Sequence, residues 1–66
     1  MNLLDLRALD SGDQVNWQDP DDGKSSGVYY VSEIVTETGQ ITDYDDMLVI
    51  RNAAGSWAEV YASELV

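Results

Sequence analysis

Four short runs of strand-forming residues, each ended by a turn, constrain this 66-residue chain more than any other feature. They span residues 13–18, 28–35, 47–52 and 56–61. Runs of this length, separated by glycine-bearing turns, predict a small, strongly bent all-β barrel. Such a barrel is filled by its own side chains. It leaves no room for the usual pocket of roughly 300 Å³, so function is expected on the outer surface.

Side-chain alternation gives each run an inside and an outside. In the first run Val15 and Trp17 point inward, and Gln14, Asn16 and Gln18 point outward. The second run breaks the period of two between Val31 and Ile34. A β-bulge near Ser32-Glu33 restores an inward set of Tyr29, Val31 and Ile34. Leu48 and Ile50 face in from the third run, with Val49 and Arg51 outside. In the last run Ala58 and Val60 share one face, which leaves Trp57, Glu59 and Tyr61 on the other.

The connections follow from turn chemistry. Asp19-Pro20-Asp21-Asp22-Gly23 stops the first strand, because proline cannot donate to a ladder and Asx-Gly favours a turn. Gly12 and Asp13 serve the turn before that strand, Gly39 is expected at positive φ, and 52–55 forms a tight hairpin turn. Ile41 is expected to open a return strand. Residues 62–65 predict a 3₁₀ turn that lays Leu65 on the core. The leucine-rich residues 1–10 fit two periods: Leu4, Leu6 and Ala8 alternate as in a strand, and Leu3, Leu6 and Leu9 share a helical face. The expectation is a short extra strand or extended arm packed on a barrel formed by 11–66, all in one domain.

Charge and residue usage exclude several functions. Thirteen acidic residues against Arg7, Lys24 and Arg51 give a net charge of −10. Direct nucleic-acid binding needs a basic footprint, and an anionic membrane surface repels such a chain. No apolar run reaches the roughly 20 residues of a membrane span, and the amino terminus lacks the basic and apolar regions of a secretory signal. A cytoplasmic monomer is expected. The chain has no histidine and no cysteine, hence no common general base, thiol nucleophile or nitrogen/sulfur zinc site, and no disulfide. Lys24 near Ser25 and Ser26 lies in a polar loop, not the desolvated setting a Ser-Lys dyad requires. No enzyme activity, cofactor or structural metal is expected.

With the turns placed, the chain resembles a Src-homology-3-like (SH3-like) barrel over residues 10–66. The resemblance rests on Gly12-Asp13-x-Val15 opening a strand, a long polar loop, three successive strands, and the closing Ala58-Glu59-Val60-Tyr61-Ala62-Ser63-Glu64-Leu65. It implies five strands and a terminal 3₁₀ turn. The wording is more similar still to a group of small bacterial proteins without an established activity, in Gly12-Asp13-x-Val15-x-Trp17-x-Asp19-Pro20-Asp21, Ser26-Gly27-x-Tyr29-x-Val31-x-x-Ile34 and Gly55-Ser56-x-Ala58-Glu59-Val60. That likeness implies a fold and not a function. The motifs that wall a proline-rich ligand groove in the peptide-binding branch are not reproduced.

The surface therefore carries the functional reading. Trp57, Glu59 and Tyr61, with Tyr30 and Tyr44, form a candidate aromatic-acidic patch for a protein partner, which the charge suggests is basic. The expected function is a non-enzymatic protein-interaction module. One alternative is a nucleic-acid mimic that occupies a basic DNA-binding protein. Another is a weak divalent-cation site in the loops holding Asp19, Asp21, Asp22 and Asp43, Asp45, Asp46. The Asp19 loop does not fit an EF-hand, since Gly23 falls where an acidic ligand belongs; turn formation is the plainer role for these aspartates.

Self-repulsion at −10 is screened by salt, so the melting temperature is expected to rise between low and moderate ionic strength in a calorimetric or circular-dichroism melt. A flat or falling curve would show that the charges are compensated locally.

Overall fold

The computed structural model describes residues 1–21 and 23–66. In chain order it contains a helix α1 (Leu3–Arg7), strands β1 (Gln14–Trp17), β2 (Gly27–Val35), β3 (Met47–Arg51) and β4 (Trp57–Tyr61), and a 3₁₀ turn at Ala62–Glu64. The strands form one antiparallel sheet in the order β1-β2-β3-β4. The architecture is mostly β, and each strand lies where the alternation puts it, to within a residue or so at its ends.

The described residues form one open, four-stranded sheet where five barrel strands were expected, and two further expectations are corrected. The fifth pairing shrinks to a single antiparallel bridge, Trp17 to Leu65, flanked by Gln18 N–H donating to the Glu64 carbonyl at 3.1 Å and Val66 N–H to that of Asn16 at 2.9 Å. Residues Leu3–Arg7 are helical, not an arm or strand. The Asn2 side chain accepts from the Asp5 N–H at 2.8 Å, and the leucines, Arg7 and Ala8 are good helix formers. Finally, Ile41 lies outside any strand, yet it is fully buried.

The bulge falls where expected: the register between β2 and β3 shifts between Val31 and Glu33. Tyr29 and Val31 are buried and Ile34 is half-buried, with Ser32 and Glu33 exposed. Gly39 takes φ +72° in the β2–β3 connection, and Thr36 Oγ1 accepts there from the Gln40 N–H at 3.0 Å. At the β3–β4 turn Asn52 Oδ1 accepts from Ala54 and Ser56 N–H.

One core results. Val15, Tyr29, Val31, Leu48, Ile50 and Val60 project from the inner face of the sheet, and Leu6, Ile41, Ala62 and Leu65 cover them. The shortest extent of the molecule is 16 Å, enough for one layer of side chains between sheet and cover. Trp17 sits at the margin, edge-on to Tyr29 with ring centroids 5.5 Å apart. No helix of the described residues is long and apolar enough to cross a membrane.

Helical packing sends Leu6 into the core and leaves Leu4 in solvent, whereas a strand would send both the same way. Leu6→Ala is expected to cost about 2–5 kcal/mol in chemical denaturation, and Leu4→Ala less than about 0.5 kcal/mol. Equal losses would contradict the helix.

Candidate functional site

Strand registers decide what the outer face of the sheet presents. Gln14, Tyr30, Arg51 and Trp57 form one cross-strand row, since Gln14 pairs with Tyr30, Tyr30 with Arg51, and Arg51 with Trp57. Beyond the bulge, Glu33, Val49 and Glu59 form a second row. Val35, Met47 and Tyr61 form a third. Side chains directly opposite one another on one face have Cβ atoms about 5 Å apart, so each row is a set of neighbours.

Every residue of the sequence-derived patch is exposed: Trp57 at 66%, Tyr61 at 49%, Tyr30 at 43% and Tyr44 at 42%, with Glu59 exposed as well. They do not converge on one spot. Tyr30 and Trp57 stand at one end of the face, on either side of Arg51. Tyr61 stands at the other, about 13 Å along β4 from Trp57 at the usual strand rise. Tyr44 belongs to that second end, where its carbonyl accepts from the Ser63 N–H at 3.0 Å. Glu59 lies between the ends, with Glu33 across Val49 from it. The site is an apolar-rimmed face with a carboxylate pair at its centre.

Sequence reasoning missed Arg51, Val35, Met47 and Glu33 as members of this face. The signal was present: once the 52–55 turn is fixed, pairing Asn52 with Ser56 forces Arg51 opposite Trp57. Among the described residues Arg51 makes no ion pair, and its register partners on both neighbouring strands, Tyr30 and Trp57, are exposed aromatics. Beside this row lies an open groove of about 310 Å³, lined by Ser11, Gly12, Tyr30, Val31, Ser32, Arg51 and Asn52. Space of that size was not expected, and it lies outside the core, beside the bulge. There the 10–13 turn is tied to β2 by Gly12 N–H donating to the Val31 carbonyl at 2.7 Å, Val31 N–H to that of Asp13 at 2.8 Å and the Ser11 hydroxyl to that of Ser32 at 3.2 Å.

In each aspartate loop, described carboxylates are engaged by the loop's own backbone. Asp19 accepts from Asp21 N–H at 3.0 Å and from Ser25 N–H at 3.3 Å. Asp43 accepts from Asp45 N–H, and Asp46 accepts from Thr42 N–H at 2.9 Å, Asp43 N–H at 3.1 Å and the Thr42 hydroxyl at 3.2 Å. Asp22, part of the proposed cation loop, lies outside the described residues. Among the described residues no three acidic side chains are grouped to hold a metal ion.

The Thr42 N–H above all, then the Asp43 N–H and the Thr42 hydroxyl, hold the Asp46 carboxyl below its ordinary value of 3.8, against an opposing desolvation. A depressed carboxylate contributes stability above its ordinary value and loses it as pH falls through the folded one. The amide resonances of Thr42 and Asp43 are therefore expected to titrate with a midpoint below 3.8, and Asp46→Ala to melt lower than the charge-matched Asp45→Ala. A normal midpoint, or equal melting, would remove this role. Set against known protein families, characterised proteins and solved structures, the chain matches none.

Proposed function

We propose that this chain is a non-enzymatic protein-interaction module of the SH3-like small-barrel kind that docks a basic partner on the outer face of its sheet. The observation that carries the reading is the solvent exposure of Trp57, Tyr61 and Tyr30 around the carboxylates of Glu59 and Glu33. Large aromatics are enriched at interface centres, and carboxylates between them complement a partner bearing lysine or arginine. Kinship with the SH3-like barrels is supported by the strand order, the closing 3₁₀ turn and the bridge from Leu65 back to Trp17.

Nucleic-acid mimicry is less well supported. It requires carboxylates in a ribbon at phosphate-like spacing, but among the described acidic residues only Glu33 and Glu59 lie within strands. Asp19, Asp43 and Asp46 of the loops are turned onto backbone amides instead.

The test is a crosslinking capture from the native cell with wild type and a Trp57→Ala/Tyr61→Ala variant. Both side chains are exposed, so the variant is expected to keep its amide NMR dispersion. Interface aromatics each contribute about 2 kcal/mol or more at a hot spot, so specific capture should fall about thirtyfold or further. A folded variant that captures the same proteins as wild type would remove the reading.

A further inference from the structure

The two edges of the sheet are not equivalent. The outer edge of β1 is engaged by the chain's own tail through the Trp17–Leu65 bridge and its two flanking hydrogen bonds. Among the described residues nothing equivalent pairs with β4, the other edge strand.

Ladder parity shows what β4 offers there. Asn52 N–H donates to the Ser56 carbonyl at 2.9 Å and Ala62 N–H to that of Asp46 at 2.8 Å, and the register runs between them without a slip. Residues 56, 58, 60 and 62 thus spend their backbone groups on β3, since the groups of an antiparallel strand alternate sides. The N–H and C=O of Trp57 and Glu59 face outward from the edge. The Tyr61 N–H is already taken by Glu64 Oε2 at 2.7 Å, which marks where the free stretch ends. The same three residues project their side chains onto the outer face.

We propose that β4 is the docking edge, and that a basic, extended segment of a partner adds to it as an antiparallel fifth strand. This rests on the partner-binding reading above and specifies its mode. Main-chain hydrogen bonds to Trp57 and Glu59 supply the pairing. In an antiparallel pair the residue bonded to Glu59 puts its side chain on the same face as the Glu59 carboxylate. A lysine or arginine there lies between the indole of Trp57 and the phenol of Tyr61.

Charge selects this occupant over a second copy. The self-pairing register that overlaps the whole of β4 is centred on Glu59 and sets each Glu59 against its twin. It also joins two bodies of −10. Glu59 thus discourages self-association along the edge and favours a strand of opposite charge.

The probe is a blocked eight-residue peptide of alternating lysine and threonine, titrated into the full isotope-labelled chain. Hydrogen exchange at Trp57 and Glu59 is expected to slow at least tenfold at saturation, whereas Ala58 and Val60 are protected from the start. N-methylation of the lysine nitrogens should weaken binding about tenfold or more, the equivalent of a net hydrogen bond, and methylation of the threonine nitrogens much less. A glutamate-threonine peptide should not bind. Binding that shifts the Trp57 and Tyr61 rings but leaves both amides exchanging, with no preference between methylated peptides, would overturn strand addition and leave face docking standing. Absence of binding would also overturn it, as would an edge-paired dimer in sedimentation; the capture experiment with Trp57→Ala/Tyr61→Ala then judges partner binding separately.

Discussion

A carboxylate without a partner cannot be placed in an apolar core at tolerable cost, and this decides the course of β2. Tyr29 and Val31 face inward. Strict alternation would send Glu33 after them and Ile34 out to solvent. The extra residue at Ser32 prevents that, shifting the register so that Ile34 packs on the core and Glu33 stands beside Val49 on the surface. Both faces depend on this slip. The core gains a continuous apolar layer, and the outer face gains the second of its two glutamates.

Two groups of acidic residues are placed differently. Asp19, Asp43 and Asp46 in the turns take backbone amides as partners, so their charge is part of the local fold. Glu33 and Glu59 instead stand on the sheet among exposed aromatics and aliphatics. Those three turn carboxylates are already occupied, whereas the strand glutamates stand open to a basic group on a face with exposed aromatics. Net charge by itself would not have distinguished the two.

What the sequence made legible follows from how local each signal is. The strands, the bulge, Gly39 at positive φ, the outward Trp57 and the final 3₁₀ turn are all set by side-chain period or by turn chemistry within a few residues. The misreadings arise where a short segment satisfies two periods or where distant chain supplies the environment. Leu3, Leu4, Leu6 and Leu9 fit strand and helix alike, and the Asn2 cap decides for the helix. Ile41 is buried without ladder hydrogen bonds, a result of tertiary packing that no local pattern encodes. The residues named for the patch are exposed, as their alternation indicates, but they do not converge, and their neighbours on the face come from adjacent strands and appear only once the registers are known.

The carboxylate of Glu64 joins parts of the molecule that are far apart in the chain. One oxygen accepts from the Tyr61 N–H and the other from the Trp17 indole at 3.4 Å. The two tryptophans consequently live in different worlds: Trp17 leans on Tyr29 and is tied to the closing turn, whereas Trp57 stands in water. Their emission separates by colour, with the bluer indole sensing whether the body is intact and the redder one sensing what approaches its open flank. A single unlabelled sample thus carries its own control for telling loss of fold from occupation of its surface.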